Sequence, residues 1–216
     1  MSELSFDSGY YASPRPEVVG HVPRQAKDIL DVGCGMGKLG YALKQQDRTR
    51  RVSGIELFEG AAGEARKVLD EVVTGDIQAI GFPFKPASFD CIIFADVLEH
   101  LLDPGSILRQ ARTVLRRDGC IVCSIPNMRH YTVILRLLLH GWYYDDFGLF
   151  DRTHLRFFSF ATMRDLLESN GWHIVSVAPK IVASRKARAV NFLLANRLEE
   201  FIAHGYILRA TLVTSS

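Results

Sequence analysis

Apolar residues in this chain keep two rhythms, and the alternation between them is the first clue to architecture. Short, nearly continuous apolar runs occupy 29–32, 51–56, 71–74, 89–95 and 119–125. Runs of that length, rich in Val and Ile, suit strands covered on both faces. Between them lie stretches in which apolar residues recur every three or four positions: 38–46, 61–69 and 104–115, the last opened by Asp103-Pro104 with proline just inside the helix start. Strand and helix alternating in this way predict a parallel sheet with helices on both faces. Ligands of such sheets bind beyond the carboxyl ends of the strands, where strand order reverses.

The flanks read differently. Residues 1–28 form a leader with a helix-like stretch at 17–23, and 130–142 is an apolar helix followed by aromatic, loop-like sequence to Phe158. A helix near 159–170, a strand at 172–177, an amphipathic helix over 185–203 and a closing strand at 205–214 complete the reading. There are no internal repeats and no low-complexity linker.

Composition narrows the class. A length of 216 residues with 48% hydrophobic content is expected to form one domain, 1–216, with a sizeable core. A net charge of +2 gives no argument for a nucleic-acid partner. The first residues are polar and lack a signal peptide's basic and apolar regions, and no apolar run approaches the ~20 residues of a membrane helix, so a cytoplasmic protein without a transmembrane segment is expected. Cys34, Cys91, Cys120 and Cys123 fall on or beside core strands. Cys120-x-x-Cys123 lacks a second pair to complete a zinc site, and three positions apart on a strand the two face opposite ways, which favours buried reduced thiols.

The chemistry concentrates in Asp31-Val32-Gly33-Cys34-Gly35-Met36-Gly37. A strand that breaks into alternating glycines and resumes as a helix lets a ligand approach the backbone closely and offers free N–H groups. Gly35-Met36-Gly37-Lys38-Leu39-Gly40 also fits the dinucleotide fingerprint G-x-G-x-x-G. Asp31 argues against that use: a carboxylate aimed into the turn repels a pyrophosphate and attracts an ammonium or sulfonium group.

The whole string resembles motif I of the class I S-adenosylmethionine-dependent methyltransferases, which implies a Rossmann-like fold, mainly parallel, with an antiparallel last strand. The resemblance covers about 10–178 and includes a motif IV-like segment at 89–101. It implies S-adenosylmethionine as cofactor. Asp31 and the backbone of Gly33, Cys34, Gly35 and Gly37 would take its amino-acid end, and Glu56 with neighbouring Leu57, nineteen residues past Gly37, its ribose. Asp76 and Ile77 would meet the adenine, and Ala95 the methionine amino group. Arg15 is either a partner for the methionine carboxylate or a surface arginine between two prolines, and Tyr10 and Tyr11 either a lid or packing for the leader.

The segment 151–158 resembles small-molecule and polysaccharide-pathway methyltransferases related to the ubiquinone-biosynthesis O-methyltransferases. Asp96-Val97-Leu98-Glu99-His100 is similar to the Glu-x-x-Glu-His of those enzymes, with Asp in place of the first Glu. Asp96, Glu99 and His100 are therefore candidate ligands of an oxygen-rich Mg²⁺ site, or Glu99 and His100 simply cap the next helix. His154 is the first candidate for a general base and His100 the second. Motif IV lacks the Asn/Asp-Pro-Pro-Tyr/Phe string of adenine and glutamine amino-group methylators.

The expected reaction is O-methylation of a small molecule or a sugar or glycan precursor. N- or C-methylation of an amino sugar or natural product is the alternative, as is a non-catalytic cofactor-binding partner. Residues 128–158, with Asp145 and Asp146, are expected to cover the substrate; the Leu-rich stripe around Arg136 suits core packing or a homodimer, with membrane contact a further use. Arg185, Lys186, Arg188 and Arg197 form a basic patch whose default is a solvated helix face.

Overall fold

The computed structural model describes residues 14–181 and 198–213. Helix α1 is Pro16–Val19, followed by β1 Asp28–Val32, α2 Lys38–Gln46, β2 Arg51–Glu56, α3 Glu59–Ala65, β3 Glu71–Thr74, α4 Ile77–Ile80 and β4 Phe89–Ala95. A 3₁₀ turn, Leu98–His100, leads to α5 Pro104–Val114, β5 Leu115–Pro126, α6 Tyr131–Leu139 and α7 Phe160–Ser169. Then come β6 Trp172–Ile181, α8 Glu199–Ile202 and β7 Ala203–Leu212.

The seven strands form one sheet in the order β3-β2-β1-β4-β5-β7-β6. β1 to β5 are mutually parallel, and β7 runs antiparallel to both β5 and β6. This is the expected mainly parallel sheet with an antiparallel last strand. Strand order reverses between β1 and β4, so a crevice opens there beyond their carboxyl ends.

Each face of the sheet carries its own core, which is why the parallel strands read as unbroken apolar runs. One face packs Ile92, Phe94, Ile121 and Cys123 against α5 and α7 through Leu108, Met163 and Leu167. The other packs Ile29, Cys91, Ile93 and Val122 against α1, α2 and α3 through Val18, Leu39, Leu43 and Ala65. Cys120 and Cys123 do lie on opposite faces; all four cysteines are buried and free, with Cys120 Sγ 3.9 Å from Cys91 Sγ.

Several boundaries differ from expectation: α1 ends at Val19, α6 at Leu139, and β6 runs on to Ile181. α3 stops at Ala65, and Leu69 is drawn into the core by tight turns from Lys67 and Val68 back to Glu64 and Ala65. β5 starts at Leu115, directly after α5, because Leu115 pairs with Phe89 and Arg116 binds Asp28 and Asp90. Of the helix expected over 185–203, residues 185–197 lie outside the described residues; 199–202 is helical and Ala203 already belongs to β7.

Candidate active site

The glycine turn follows β1 at the reversal point. Gly33, Gly35 and Gly37 have φ of 70°, 53° and 75°, in the left-handed region that side chains resist. At Gly33 a Cβ would also stand 2.7 Å from Val97 Cγ2, so the turn has no room to move toward the β4 loop. The Gly33 and Cys34 amides both bond the Ile55 carbonyl, at 2.8 and 3.1 Å, which ties the turn to β2. Cys34 turns its side chain inward over Gly54, leaving only its backbone for a ligand.

Two acids face this turn. Glu56, at the tip of β2 and 3% exposed, accepts from the Gly35 amide at 2.8 Å and the Phe58 amide at 3.0 Å, one bond to each oxygen. Its orientation is fixed before any ligand arrives, and one lone pair on each oxygen remains. Burial raises its pKa while those backbone bonds oppose the rise. Asp31 is 2% exposed, and its Oδ1 has no hydrogen-bond partner. Burial pushes the Asp31 carboxyl up to about 7, with Arg15 opposing and Glu56 adding to the shift. A buried unpartnered carboxylate oxygen is costly. An ammonium or sulfonium group over the turn would relieve that cost, so Asp31 and Glu56 fit the amino-acid and ribose ends of S-adenosylmethionine.

The other proposed donor contacts are less enclosed. Asp76 is exposed and caps α4, accepting from the Gln78 amide at 2.9 Å, while Ile77 is buried behind it. Leu57 is 51% exposed beside Glu56, and Ala95 closes β4 in the core. Tyr11, with Tyr10, lies outside the described residues. Arg15 forms an ion pair with Asp96, so its partner here is a protein carboxylate.

Across the crevice, β4 is followed by a left-handed residue, Asp96 with φ 54°. Asp96 is bonded by the Arg15 guanidinium and the Ser124 hydroxyl, with Lys180 Nζ 3.7 Å away. These cations and the hydroxyl hold its pKa below the ordinary carboxylate value against the opposing effect of burial. The expected grouping of Asp96 with Glu99 and His100 therefore does not form. Glu99, His100 and His154 come together instead, their nearest donor atoms all within 4.8 Å of one another. The cause is tertiary. The 151–158 arm lies against the 3₁₀ turn, with the Leu155 and Arg156 amides both 2.9 Å from the Glu99 carbonyl.

Each member of this trio is perturbed. Glu99 is fully buried with both carboxyl oxygens unpartnered, and burial, then the nearby Asp96 charge, lifts its pKa well above normal. His100 Nδ1 lies 3.2 Å from the Thr153 carbonyl and 3.0 Å from its hydroxyl. His154 is 7% exposed, its Nδ1 unpartnered, and its ring meets His100 edge-on at 4.8 Å. Burial lowers both imidazole pKa values, and His100 lowers that of His154 further, so both rings are neutral near pH 7. One carboxyl and two imidazoles offer more nitrogen than oxygen, not the oxygen-rich shell that Mg²⁺ demands, so the residues brought together here do not fit the expected Mg²⁺ site.

Sequence reasoning missed Ser124 and Lys180, which hold Asp96, and Thr153, which holds His100. Thr153 stands inside the 151–158 segment and was within reach; Lys180 reaches Asp96 only because β6 joins the sheet through β7.

A glycine turn after β1, an acid closing β2 and a reversal point between β1 and β4 define a Rossmann-like, class I methyltransferase architecture. A family model described as a methyltransferase domain matches residues 6–177, and the chain belongs to that family. Among curated relatives, the ubiquinone biosynthesis O-methyltransferase of Paracidovorax citrulli is 30% identical over 125 residues, 55% of this chain and 52% of that protein. That of Idiomarina loihiensis is 35% identical over 106 residues, 47% and 43% of the two chains. This chain matches about half the length of these relatives, and 33% of an uncharacterized transposon protein of Streptomyces fradiae.

Among solved structures, a methyltransferase of Thermotoga maritima described as a possible histamine N-methyltransferase superposes with a TM-score of 0.68 at 20% identity, covering 94% of this chain and 89% of that one. The cyclase SpnF superposes at 0.63 with 18% identity, covering 93% and 80%. At these identities the likeness shows the fold alone. Among the described residues, no helix is long and apolar enough to cross a membrane.

Proposed function

We propose that this chain transfers the methyl group of S-adenosylmethionine to a hydroxyl of a small molecule or saccharide precursor. The observation that carries the donor assignment is the buried, unpartnered Asp31 oxygen facing a glycine turn that also fixes Glu56. The 30% and 35% identity to ubiquinone biosynthesis O-methyltransferases over about half of the chain supports a hydroxyl acceptor.

Methyl transfer is a direct displacement: the acceptor oxygen bonds to carbon as the carbon–sulfur bond breaks, and S-adenosylhomocysteine leaves. The chain's task is alignment and exclusion of water, which can supply ~7–11 kcal/mol of the barrier. Asp31 holds the amino group and Glu56 the ribose. A neutral imidazole takes the hydroxyl proton, worth about 10²- to 10⁴-fold. His154 was the first candidate, but it is enclosed by the arm; His100 is the more open ring, with Nδ1 set by Thr153, which leaves Nε2 as the acceptor. We assign the proton to His100, backed by His154.

Calorimetry with S-adenosylhomocysteine tests the donor site, and no heat of binding would overturn it. Transfer of label to a free amine but to none of a panel of hydroxylated acceptors would replace O- by N-methylation.

A further inference from the structure

Helix α6 is built against the usual rule. Its sequence, Tyr-Thr-Val-Ile-Leu-Arg-Leu-Leu-Leu, contains two polar residues, yet Val133 alone is buried. Tyr131, Ile134, Leu135, Leu137, Leu138 and Leu139 are all exposed, Leu138 by 76% and Leu139 by 70%. At 3.6 residues per turn those six side chains span an arc of roughly 200°. A helix packed on a protein core shows an apolar stripe about half as wide.

The patch continues onto the adjoining arm. Trp142 meets Tyr144 and Phe157 edge-on, with ring centroids 6.0 and 4.9 Å apart, and Tyr143 and Phe147 are 65% and 69% exposed. Charges within it are neutralised internally. Arg136 binds Asp145 and the Tyr143 carbonyl and lies over the Phe150 ring at 4.2 Å, and Arg152 binds Asp146 at 2.6 Å. Apolar surface of this extent marks an interaction site.

We propose that α6 and the 142–157 arm dock on a lipid bilayer, with α6 lying in the plane of the interface. Arc width separates this partner from a second protein. A flat protein surface covers one stripe of a helix, whereas a bilayer closes around the sides of a helix sunk about 5–10 Å into it. The exposed Trp and Tyr rings suit the headgroup boundary, and cancelled charges lower the cost of desolvation. Nine residues are too short to span, so the helix lies flat. The same arm carries His154 of the Glu99–His100–His154 group, so docking would place the cover of that group against the membrane. The inference stands on surface chemistry and does not require the methyl-transfer reading.

The chain has two tryptophans, and Trp172 is fully buried, so a vesicle-induced change in emission reports on Trp142. The full chain is mixed with vesicles of phosphatidylcholine alone and of phosphatidylcholine with phosphatidylglycerol. Expected are co-sedimentation with both, persistence in high salt and a blue shift of emission. Leu138→Asp combined with Leu139→Asp should weaken binding at least tenfold while melting temperature and S-adenosylhomocysteine affinity hold; Tyr41→Ser, on α2, should leave vesicle binding unchanged. No binding to either vesicle overturns the proposal. So does binding that needs the anionic lipid and vanishes in salt, or a concentration-dependent dimer abolished by the same double substitution.

Discussion

On the β1–β2 side of the crevice, Asp31, the three left-handed glycines and Glu56 sit within twenty-six consecutive residues, and neighbouring backbone amides fix Glu56. On the β4 side, Glu99 and His100 meet His154 only because an arm more than fifty positions away folds back over the 3₁₀ turn. One side is preorganised with a single unsatisfied oxygen awaiting a cation. The other brings together a buried acid, a buried imidazole and a half-buried one, each shifted by burial and His154 also by His100. The proposed donor site is thus built into local chain geometry, and the proposed acceptor chemistry into tertiary assembly, which is where members of one fold diverge.

The sharpest way to break this division is at His100. His100→Gln should lower kcat by about 10²- to 10⁴-fold and leave S-adenosylhomocysteine affinity intact, read by initial rates and calorimetry. The unsubstituted chain should lose activity as pH falls through a pKa below 6.5, because burial lowers the imidazole value. Glu56→Ala should do the reverse: it removes the ribose acceptor and frees the Gly35 amide. Two hydrogen bonds to a charged group at about 1.5 kcal/mol each predict a loss of roughly 10²-fold in donor affinity.

Asp31→Asn sharpens the comparison through pH. With its native pKa near 7 against 3.8 unfolded, the unfolded chain gives up this proton first. Between those values the native state binds more protons, so stability falls as pH rises from about 4 to 7 and is flat above. The cost reaches about 4 kcal/mol, and Asn should remove it, raising the melting temperature of the free chain at pH 8. Affinity for S-adenosylhomocysteine should rise with pH toward 7 in the unsubstituted chain and stay flat and weaker, by about tenfold, in the variant. The smallest effect is expected outside both sides. Asp103 caps α5 by accepting from the Ser106 amide at 2.9 Å, so Asp103→Ala should cost about 1 kcal/mol with kcat unchanged.

Legibility followed the same line. The central strands of the parallel sheet were readable because burial on both faces favours apolar runs, and β4 begins and ends where its run does; β2 and the half-buried edge strand β3 also keep their expected bounds. The glycine turn and the acid closing β2 were readable because their chemistry is carried by neighbours along the chain. The grouping of Asp96 with Glu99 and His100 was inferred from spacing, and spacing does not record that Asp96 takes a left-handed backbone toward Arg15 and Lys180.

The sequence by itself determined the sheet, its two covered faces and the glycine turn, since hydrophobic period and glycine conformation act over a few residues. Only the tertiary structure decided which acid joins the histidines, which imidazole stays open and that α6 keeps its apolar arc outside the core. Those outcomes depend on contacts between distant segments, through burial and charge pairing that linear spacing does not encode.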